Sequence, residues 1–155
     1  MDCRLEEISS PVCFVGKTYT VNTIKALREI PDLWRAARDS GLEARLWAYS
    51  AANAGKWRTN LVGVCGNTAV VRTATFSYFL GAETQAIPPD GLEVLELPPA
   101  VWAVFAGGIR VLQEVRSVWL PASGYRLREE VPCFECYVTT KPPAHLDLWV
   151  PVIQK

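Results

Sequence analysis

A single acidic residue lies within an otherwise uncharged stretch near the C-terminal end of the chain. Residues 133–137 read Cys-Phe-Glu-Cys-Tyr, with Glu135 at the centre. Because side chains alternate along a strand, Glu135 shares a face with Tyr137, whereas Phe134 faces the other way. If Phe134 packs against helices, Glu135 and Tyr137 face a cleft together. The plainer alternative is that Glu135 is a solvent-facing strand residue.

A carboxylate among aromatic rings matches the chemistry of a hydrophobic cation. Burying a cation without a partner costs several kcal/mol, so one negative charge in an apolar cleft selects for positively charged molecules. Each aromatic face adds a cation–π attraction of roughly 0.5–2 kcal/mol. The sequence therefore predicts a cation-binding cleft if Glu135 is enclosed.

Six tryptophans in 155 residues are an unusual number, and we expect some of them to line a cavity. The candidate ligand-binding residues beside Glu135 are Tyr137, Trp119, Trp149, Tyr78 and Trp102. Trp149 and Tyr78 are expected to lie in the cleft. For Trp119 and Trp102 the pattern does not decide between the cleft and the core. Two further aromatic residues are interpreted as core: Trp34 and Phe105.

Other chemistries find little support in the residue pattern. Cys133 and Cys136 have a C-x-x-C spacing, but on a strand they point to opposite faces, and no second pair completes a zinc site. His145, the only histidine, follows a proline-rich stretch and is interpreted as a loop residue. Without a partner histidine or a G-x-S-x-G motif, a hydrolytic triad is not supported. We expect no cofactor and no metal.

Charge and composition narrow the partners. Lys+Arg and Asp+Glu number 16 each, so no basic excess is available for nucleic acid or anionic lipid. No apolar run spans a bilayer, and the acidic start of the chain is no signal peptide. A cytoplasmic location follows by default, with the five cysteines reduced. The length suits one domain over 1–155.

Hydrophobic periodicity predicts two similar halves, about 12–87 and 92–155. Strands are predicted at 12–15, 61–65, 73–83, 92–97, 101–105, 134–139 and 146–152. Helices are predicted from Pro31 to Gly41 and from Ile109 to Trp119, with 42–54 ambiguous between helix and strand. Apart from the edge-type strand at 92–97, each half thus reads strand, helix, strand, strand. We expect an α+β fold of duplicated β-α-β-β units, with pseudo-two-fold symmetry, an antiparallel-rich sheet and helices on one side.

Three stretches resemble motifs of one family. They are Tyr-x-x-Gly-x-Glu at 78–83, Trp-Leu-Pro-x-Ser-Gly-Tyr at 119–125 followed by Phe-Glu-x-Tyr at 134–137, and an aromatic-x-Pro strand at 149–151. In this order and spacing they resemble the gyrase-inhibitor-like family, whose domain also serves as the effector-binding part of AraC-type and MerR-type regulators. The resemblance runs from Val12 to Val152.

The resemblance implies a ligand cleft between the two halves, with Glu135 as its acidic residue. Many members bind lipophilic cations. The chain departs from the regulators because it leaves no room for a helix-turn-helix segment, so no direct binding to DNA is expected. A partner protein or a homodimer stays open.

Three functions follow from this resemblance as alternatives. The first is a stand-alone module that binds hydrophobic, cationic, aromatic molecules for drug sensing, sequestration or transcription-linked effector binding. The second is a hydrolase of cyclopropane-bearing genotoxic natural products, in which Glu135 guides water with Trp119 or Tyr137. The third is a protein interaction like that of the gyrase inhibitors. Binding without catalysis is preferred.

Overall fold

The computed structural model of the protein describes residues 1–52, 55–57, 60–66, 74–85, 91–138 and 145–155. Within them the strands are β1 (Cys3–Ile8), β2 (Val12–Asn22), β3 (Asn60–Cys65), β4 (Thr75–Glu83), β5 (Glu93–Leu97), β6 (Ala100–Ala106), β7 (Tyr125–Leu127), β8 (Cys133–Val138) and β9 (His145–Gln154). Two helices, α1 (Ala26–Asp39) and α2 (Leu42–Ala52), connect β2 to β3.

A third helical segment, 109–122, connects β6 to β7. It consists of a 3-10 turn (Ile109–Val111), a short α turn (Leu112–Glu114), a π turn (Val115–Trp119) and a final α turn (Leu120–Ala122). Pro121 lies in that last turn and has no N–H to extend the hydrogen-bond ladder, so the helical path ends just beyond it.

All the described strands join one antiparallel sheet. Its order is β1-β6-β9-β8-β3-β4-β2-β5, and β7 pairs with β9. This order is symmetric about the β8–β3 pair, so that β2, β3 and β4 match β6, β8 and β9. The first strand of each half crosses over: β1 pairs with β6, and β5 pairs with β2. The predicted α+β fold with its antiparallel sheet is confirmed.

The sheet is strongly curled, so that both of its faces are buried. Phe14 in β2 and Phe134 in β8 are separated by β4 and β3. In a flat sheet three strand spacings amount to about 14 Å, yet these two rings lie 5.6 Å apart. Curling closes the concave face over an aromatic cluster whose rings all come from residues outside the described helices: Phe14, Trp57, Trp102, Phe134 and Trp149.

The helices cover the other face. Ile30, Trp34 and Ala37 of α1 recur at helical spacing and are buried in one cluster with residues of α2, β2, β3 and β4. Segment 109–122 contributes Leu112 and Val115 to a second cluster over β6 and β9. The helix-covered face is thus divided between two helical units, and the gap between them lies above the centre of the sheet.

Three predicted boundaries change. Helix α1 begins at Ala26, so Pro31 lies inside it, and the turn before it is stabilised by Asn22 Oδ1, which accepts the N–H groups of Ile24 and Lys25 at 3.0 and 3.1 Å. The ambiguous stretch is helical as α2. His145 is the exposed first residue of β9 rather than a loop residue.

Two strands, β1 and β7, were not predicted. Both are short, and most of their side chains are only partly buried, so neither produces a clear apolar alternation. The stretch between the two predicted halves, 88–91, lies outside the described residues, except for Gly91. In the described part of the chain, no helix is long and apolar enough to cross a membrane.

Candidate functional site

A cavity of about 320 Å³ opens in the gap between the two helical units. The start of α1 forms one wall, the turn after β6 forms the opposite wall, and β8 forms the floor. The lining residues are Ala26, Leu27, Ile30, Pro31, Gly107, Gly108, Ile109, Arg110, Glu135, Tyr137 and Leu146. A volume near the lower end of the usual ligand-site range, about 300–1,000 Å³, suits a compact small molecule.

Glu135 lies on the floor and is 3% exposed. Its Oε1 accepts the hydroxyl of Tyr78 at 3.1 Å, and its Oε2 accepts the backbone N–H of Ile109 at 3.0 Å. The N–H of Ile109 is free to donate because it begins the helical segment 109–122, where no preceding turn provides a carbonyl. The carboxylate is therefore held in place by one donor from each half of the chain.

A hydroxyl network extends beneath Glu135. Trp34 of α1 donates its indole N–H to the Tyr78 hydroxyl at 3.0 Å. The hydroxyls of Tyr78 and Tyr137 are 3.3 Å apart, and the Tyr137 ring packs edge-on against Trp34 at 4.6 Å. A phenol has one donor and two acceptor sites. If Tyr78 donates to Glu135, it accepts from both Trp34 and Tyr137, and all three of its sites are used.

Two glycines leave the space that this network occupies. Gly63 of β3 is the cross-strand partner of Glu135, and a Cβ atom there would collide with the Tyr78 hydroxyl. A Cβ atom on Gly108 would collide with the Glu135 carboxylate. The preceding Gly107 has a φ of +108°, which an L side chain rarely adopts. Both glycines therefore let another group approach the backbone closely.

The electrostatic state of Glu135 follows from its burial. Desolvation raises the pKa of its carboxyl, and this rise is opposed by the Ile109 N–H, the Tyr78 hydroxyl and the nearby Tyr137 hydroxyl. Burial, followed by the charge of Glu135, raises the pKa of Tyr78 and keeps its phenol protonated as a donor. In the described ranges, no Lys, Arg or His forms an ion pair with Glu135.

The arrangement favours a hydrophobic ligand that brings a positive charge. The walls from Leu27, Ile30 and Pro31 are aliphatic. Burying the apolar surface of a ligand against them is therefore favourable. At the floor, a carboxylate with only neutral partners gains a charge-assisted interaction when a cation approaches.

The structure brings together part of the predicted aromatic set. Glu135 and Tyr137 line the cavity side by side, and Tyr78 lies fully buried directly beneath them. The cavity is on the helix-covered face, so Phe134 faces away from the helices rather than toward them. The assumption that Phe134 packs against helices was therefore wrong. Glu135 and Tyr137 do share the cavity face, as the alternation along β8 predicts.

The three remaining tryptophans lie elsewhere. Trp102 and Trp149 are buried in the aromatic cluster on the opposite face of the sheet. Trp119 packs on Phe105 at 5.1 Å and stacks on Tyr125 at 6.2 Å, away from the cavity. The hydrolase alternative calls for Trp119 or Tyr137 beside Glu135, and the structure places Tyr137 there and Trp119 elsewhere.

Sequence reasoning missed much of the cavity wall. The wall residues from α1 are ordinary helix residues whose types give no sign of a binding site: Ala26, Leu27, Ile30 and Pro31. Trp34 is core as predicted, but its indole also supports Tyr78. A usable signal did exist in Gly63, since a glycine inside an apolar strand often marks a close approach.

The cysteines of the C-x-x-C pair point to opposite faces of β8. Cys133 is buried on the helix-covered face and Cys136 on the aromatic face. Burial raises the pKa of each thiol to about 12, so neither is a ready nucleophile. Within the described ranges, no group of three His, Cys, Asp or Glu side chains is placed to hold a metal ion.

Two other hollows are larger but chemically less suited. One of about 820 Å³ lies over the outer edge at β1 and β7, and it is open and contains no buried charge. The other, of about 550 Å³, borders Trp57 and Trp149, and its charges already pair with one another, as in Arg4–Glu6 at 3.1 Å and Lys56–Glu6 at 3.1 Å. The smaller cavity at Glu135 is therefore the better candidate.

Comparison with known proteins supports a common architecture. A family model described as the GyrI-like small molecule binding domain matches residues 1–153. A search of curated proteins found no match.

Three solved structures share the fold. SAV2435, solved bound to tetraphenylphosphonium, has a TM-score of 0.75 and 19% identity, over 99% of this chain and 94% of that one. A protein from Staphylococcus aureus MU50 has a TM-score of 0.67 and 22% identity, over 98% of each chain. The C-terminal domain of EcmrR has a TM-score of 0.61 and 15% identity, over 99% of this chain and 98% of that domain.

Proposed function

The chain belongs to the GyrI-like small-molecule binding family, and on that premise we propose that its cavity binds hydrophobic aromatic molecules that carry a positive charge. The observation that carries this proposal is the state of Glu135. It is a buried carboxylate on a cavity wall, and its hydrogen-bond partners among the described residues are the neutral donors Ile109 and Tyr78.

A cation resolves an unfavourable feature of this site. Burying a carboxylate with only neutral partners raises its pKa, because the charged form loses more hydration than the hydrogen bonds return. A cationic ligand supplies the missing countercharge, and its attraction to the carboxylate compensates for the hydration that the cation loses. The aliphatic walls and the Tyr137 ring then accept the apolar body of the ligand.

A structural neighbour supports the same ligand class. SAV2435 was solved bound to tetraphenylphosphonium, an aromatic cation without a hydrogen-bond donor. For the present chain we propose the same kind of ligand, held by charge and shape. The binding then serves the sensing or sequestration of such molecules, or, by analogy with EcmrR, which was solved in complex with DNA, effector recognition linked to transcription.

The experiment compares two ions of the same shape. Tetraphenylphosphonium and tetraphenylborate differ in the sign of their charge, so calorimetric titration at neutral pH separates charge from apolar burial. We expect the wild-type protein to bind the phosphonium and to bind the borate at least tenfold more weakly. Glu135→Gln should lose about tenfold to hundredfold in affinity for the phosphonium, the value of a charge-assisted contact.

A matched control is available within the same sheet. Glu83 is also buried, with a raised pKa, but it accepts the Trp57 N–H at 2.9 Å and lies away from the cavity. Glu83→Gln retains a carbonyl acceptor and should leave phosphonium binding unchanged. Equal binding of the two ions, or equal affinities in wild type and Glu135→Gln, would overturn the proposal.

A further inference from the structure

The cavity at Glu135 contains a second charge of opposite sign. Arg110 lies in the first turn of segment 109–122 and lines the same cavity. Among the described lining residues, Glu135 and Arg110 are the two that carry a formal charge at neutral pH. Glu135 is buried on the floor, whereas Arg110 is exposed. The cavity is thus negative at its floor and positive at its mouth.

Among the described residues, the guanidinium of Arg110 has no ion-pair partner, although Glu114 lies one helical turn further along. Some described arginines do have carboxylate partners, as in Arg35 with Asp32 at 2.7 Å and Arg128 with Glu130 at 2.7 Å. Arg110 is exposed and lines the apolar cavity, so its five N–H donors are within reach of a ligand there.

The two charges are also kept apart. Both carboxylate oxygens of Glu135 are occupied, one by Tyr78 and one by the N–H of Ile109, the residue next to Arg110. Arg110 is exposed whereas Glu135 is buried, and the described residues show no ion pair between the two. The chain therefore presents a separated pair of opposite charges that a ligand can bridge.

A ligand with only a positive charge uses half of this arrangement. Its cationic end is attracted by Glu135, but its approach brings it past the like charge of Arg110. A ligand that also bears an oxyanion converts this repulsion into an attraction, since guanidinium matches the planar geometry of a carboxylate.

We propose that the preferred ligand of this cavity is amphoteric: an aromatic body with a cationic end on Glu135 and a carboxylate or similar oxyanion on Arg110. This inference rests on the proposed binding of aromatic cations and adds the class of the ligand. It assigns Arg110 as the residue that sets specificity at the mouth, where Leu27 and Pro31 provide the facing apolar wall.

The test uses a rhodamine in two forms, with a free benzoate and as its methyl ester. Both have the same cationic xanthene body, and only the free acid has the anionic end. Fluorescence anisotropy gives the affinity of each dye for wild type, Arg110→Gln and Glu135→Gln. The control Arg45→Gln removes another exposed arginine on α2, far from the cavity lining.

We expect wild type to prefer the acid over the ester by about three- to tenfold, the range of a partly exposed ion pair. Arg110→Gln should abolish this preference, Arg45→Gln should keep it, and Glu135→Gln should weaken both dyes. The acid-to-ester affinity ratio in wild type, divided by the same ratio in Arg110→Gln, measures the coupling between Arg110 and the carboxylate of the dye. An unchanged preference in Arg110→Gln, or a wild-type preference for the ester, would overturn the inference.

Failure of the underlying proposal looks different. If the ester and tetraphenylphosphonium bind through Glu135 but the acid gains nothing from Arg110, only the amphoteric ligand class is wrong. If none of the three probes binds, or if all bind equally well to Glu135→Gln, the proposed function itself is wrong and this inference falls with it.

Discussion

The two faces of β8 have opposite properties although their residues alternate along one strand. Phe134 and Cys136 face a buried aromatic cluster, whereas Glu135 and Tyr137 face a cavity bordered by helices. The aromatic face is closed by the curl of the sheet, and its rings pack edge-on or stacked at 5.0 to 6.2 Å. The cavity face has hydroxyls, backbone N–H groups and one carboxylate.

This difference shows that the richness in tryptophan belongs to the core rather than to the cavity. A sheet that curls on itself has to fill its concave face without helices, and large rings do so with few residues. The cavity exists because two helical units, each packed on its own half of the sheet, leave a gap at the symmetry centre. Its chemistry comes from Glu135 and from the small residues around it.

The largest expected effect is the loss of stability when a ring is removed from the aromatic cluster, compared with a ring on the helix-covered face. Trp149→Ala should lower the free energy of unfolding by about 3–5 kcal/mol, because it opens a void in the aromatic cluster. Trp119→Ala, at the partly exposed surface of segment 109–122, should cost less than half as much. Urea denaturation followed by circular dichroism measures both. Equal losses would show that the cluster is not the tighter core.

A smaller effect concerns the hydroxyl network. Tyr78→Phe removes the group that accepts from Trp34 and donates to Glu135, which leaves a buried indole N–H unpaired and should cost about 1–3 kcal/mol. Tyr137→Phe removes a partly buried hydroxyl at the edge of the network and should cost at most about 1 kcal/mol. Thermal and urea unfolding compare the two. The reverse order of the losses would contradict a central role for Tyr78.

The smallest expected effect is a pH-dependent difference in stability between wild type and Glu135→Gln. Because burial raises the folded-state pKa of Glu135, its protonated form favours folding, and this contribution fades as the pH rises through that raised pKa. Relative to Glu135→Gln, wild type should lose stability as the pH climbs above about 4.3, by at most about 1.4 kcal/mol per pH unit, before the difference levels off.

The comparison is made by measuring unfolding free energies of both proteins between pH 4 and pH 8. Glu83→Gln serves as the control for a second buried carboxyl with a raised pKa outside the cavity. A difference between wild type and Glu135→Gln that stays constant over this range would contradict the burial of an unpaired carboxylate.

The fold was accessible from the sequence because its strongest elements carry clear patterns. The strand at Val101–Phe105 and the glycines after it appear as expected, in β6 and the turn at Gly107. The strand β1 was missed because its edge position leaves most side chains partly exposed, so Leu5 and the charged residues around it give no alternation.

The site was only partly accessible. Glu135 and Tyr137 were predicted from their resemblance to a Phe-Glu-x-Tyr motif, because the strand pattern alone left Glu135 open between cleft and solvent. The placement of Trp102 and Trp149 depended on the curl of the sheet, which makes both faces of β9 interior, and no local pattern encodes that curl. The role that we propose for Arg110 depends on the turn after β6, where the Ile109 N–H donates to Glu135, a contact that was not predicted.

The central claim is that an ionised Glu135 holds a cation in the cavity, and its pH dependence tests this most directly. Calorimetric titration of tetraphenylphosphonium from pH 4 to pH 8 should show affinity that rises with pH in wild type, because the protonated carboxyl must release its proton to bind. Below the raised pKa, binding should release up to about one proton per ligand. Glu135→Gln should show a weak and flat profile, and a flat profile in wild type that coincides with it would contradict the account.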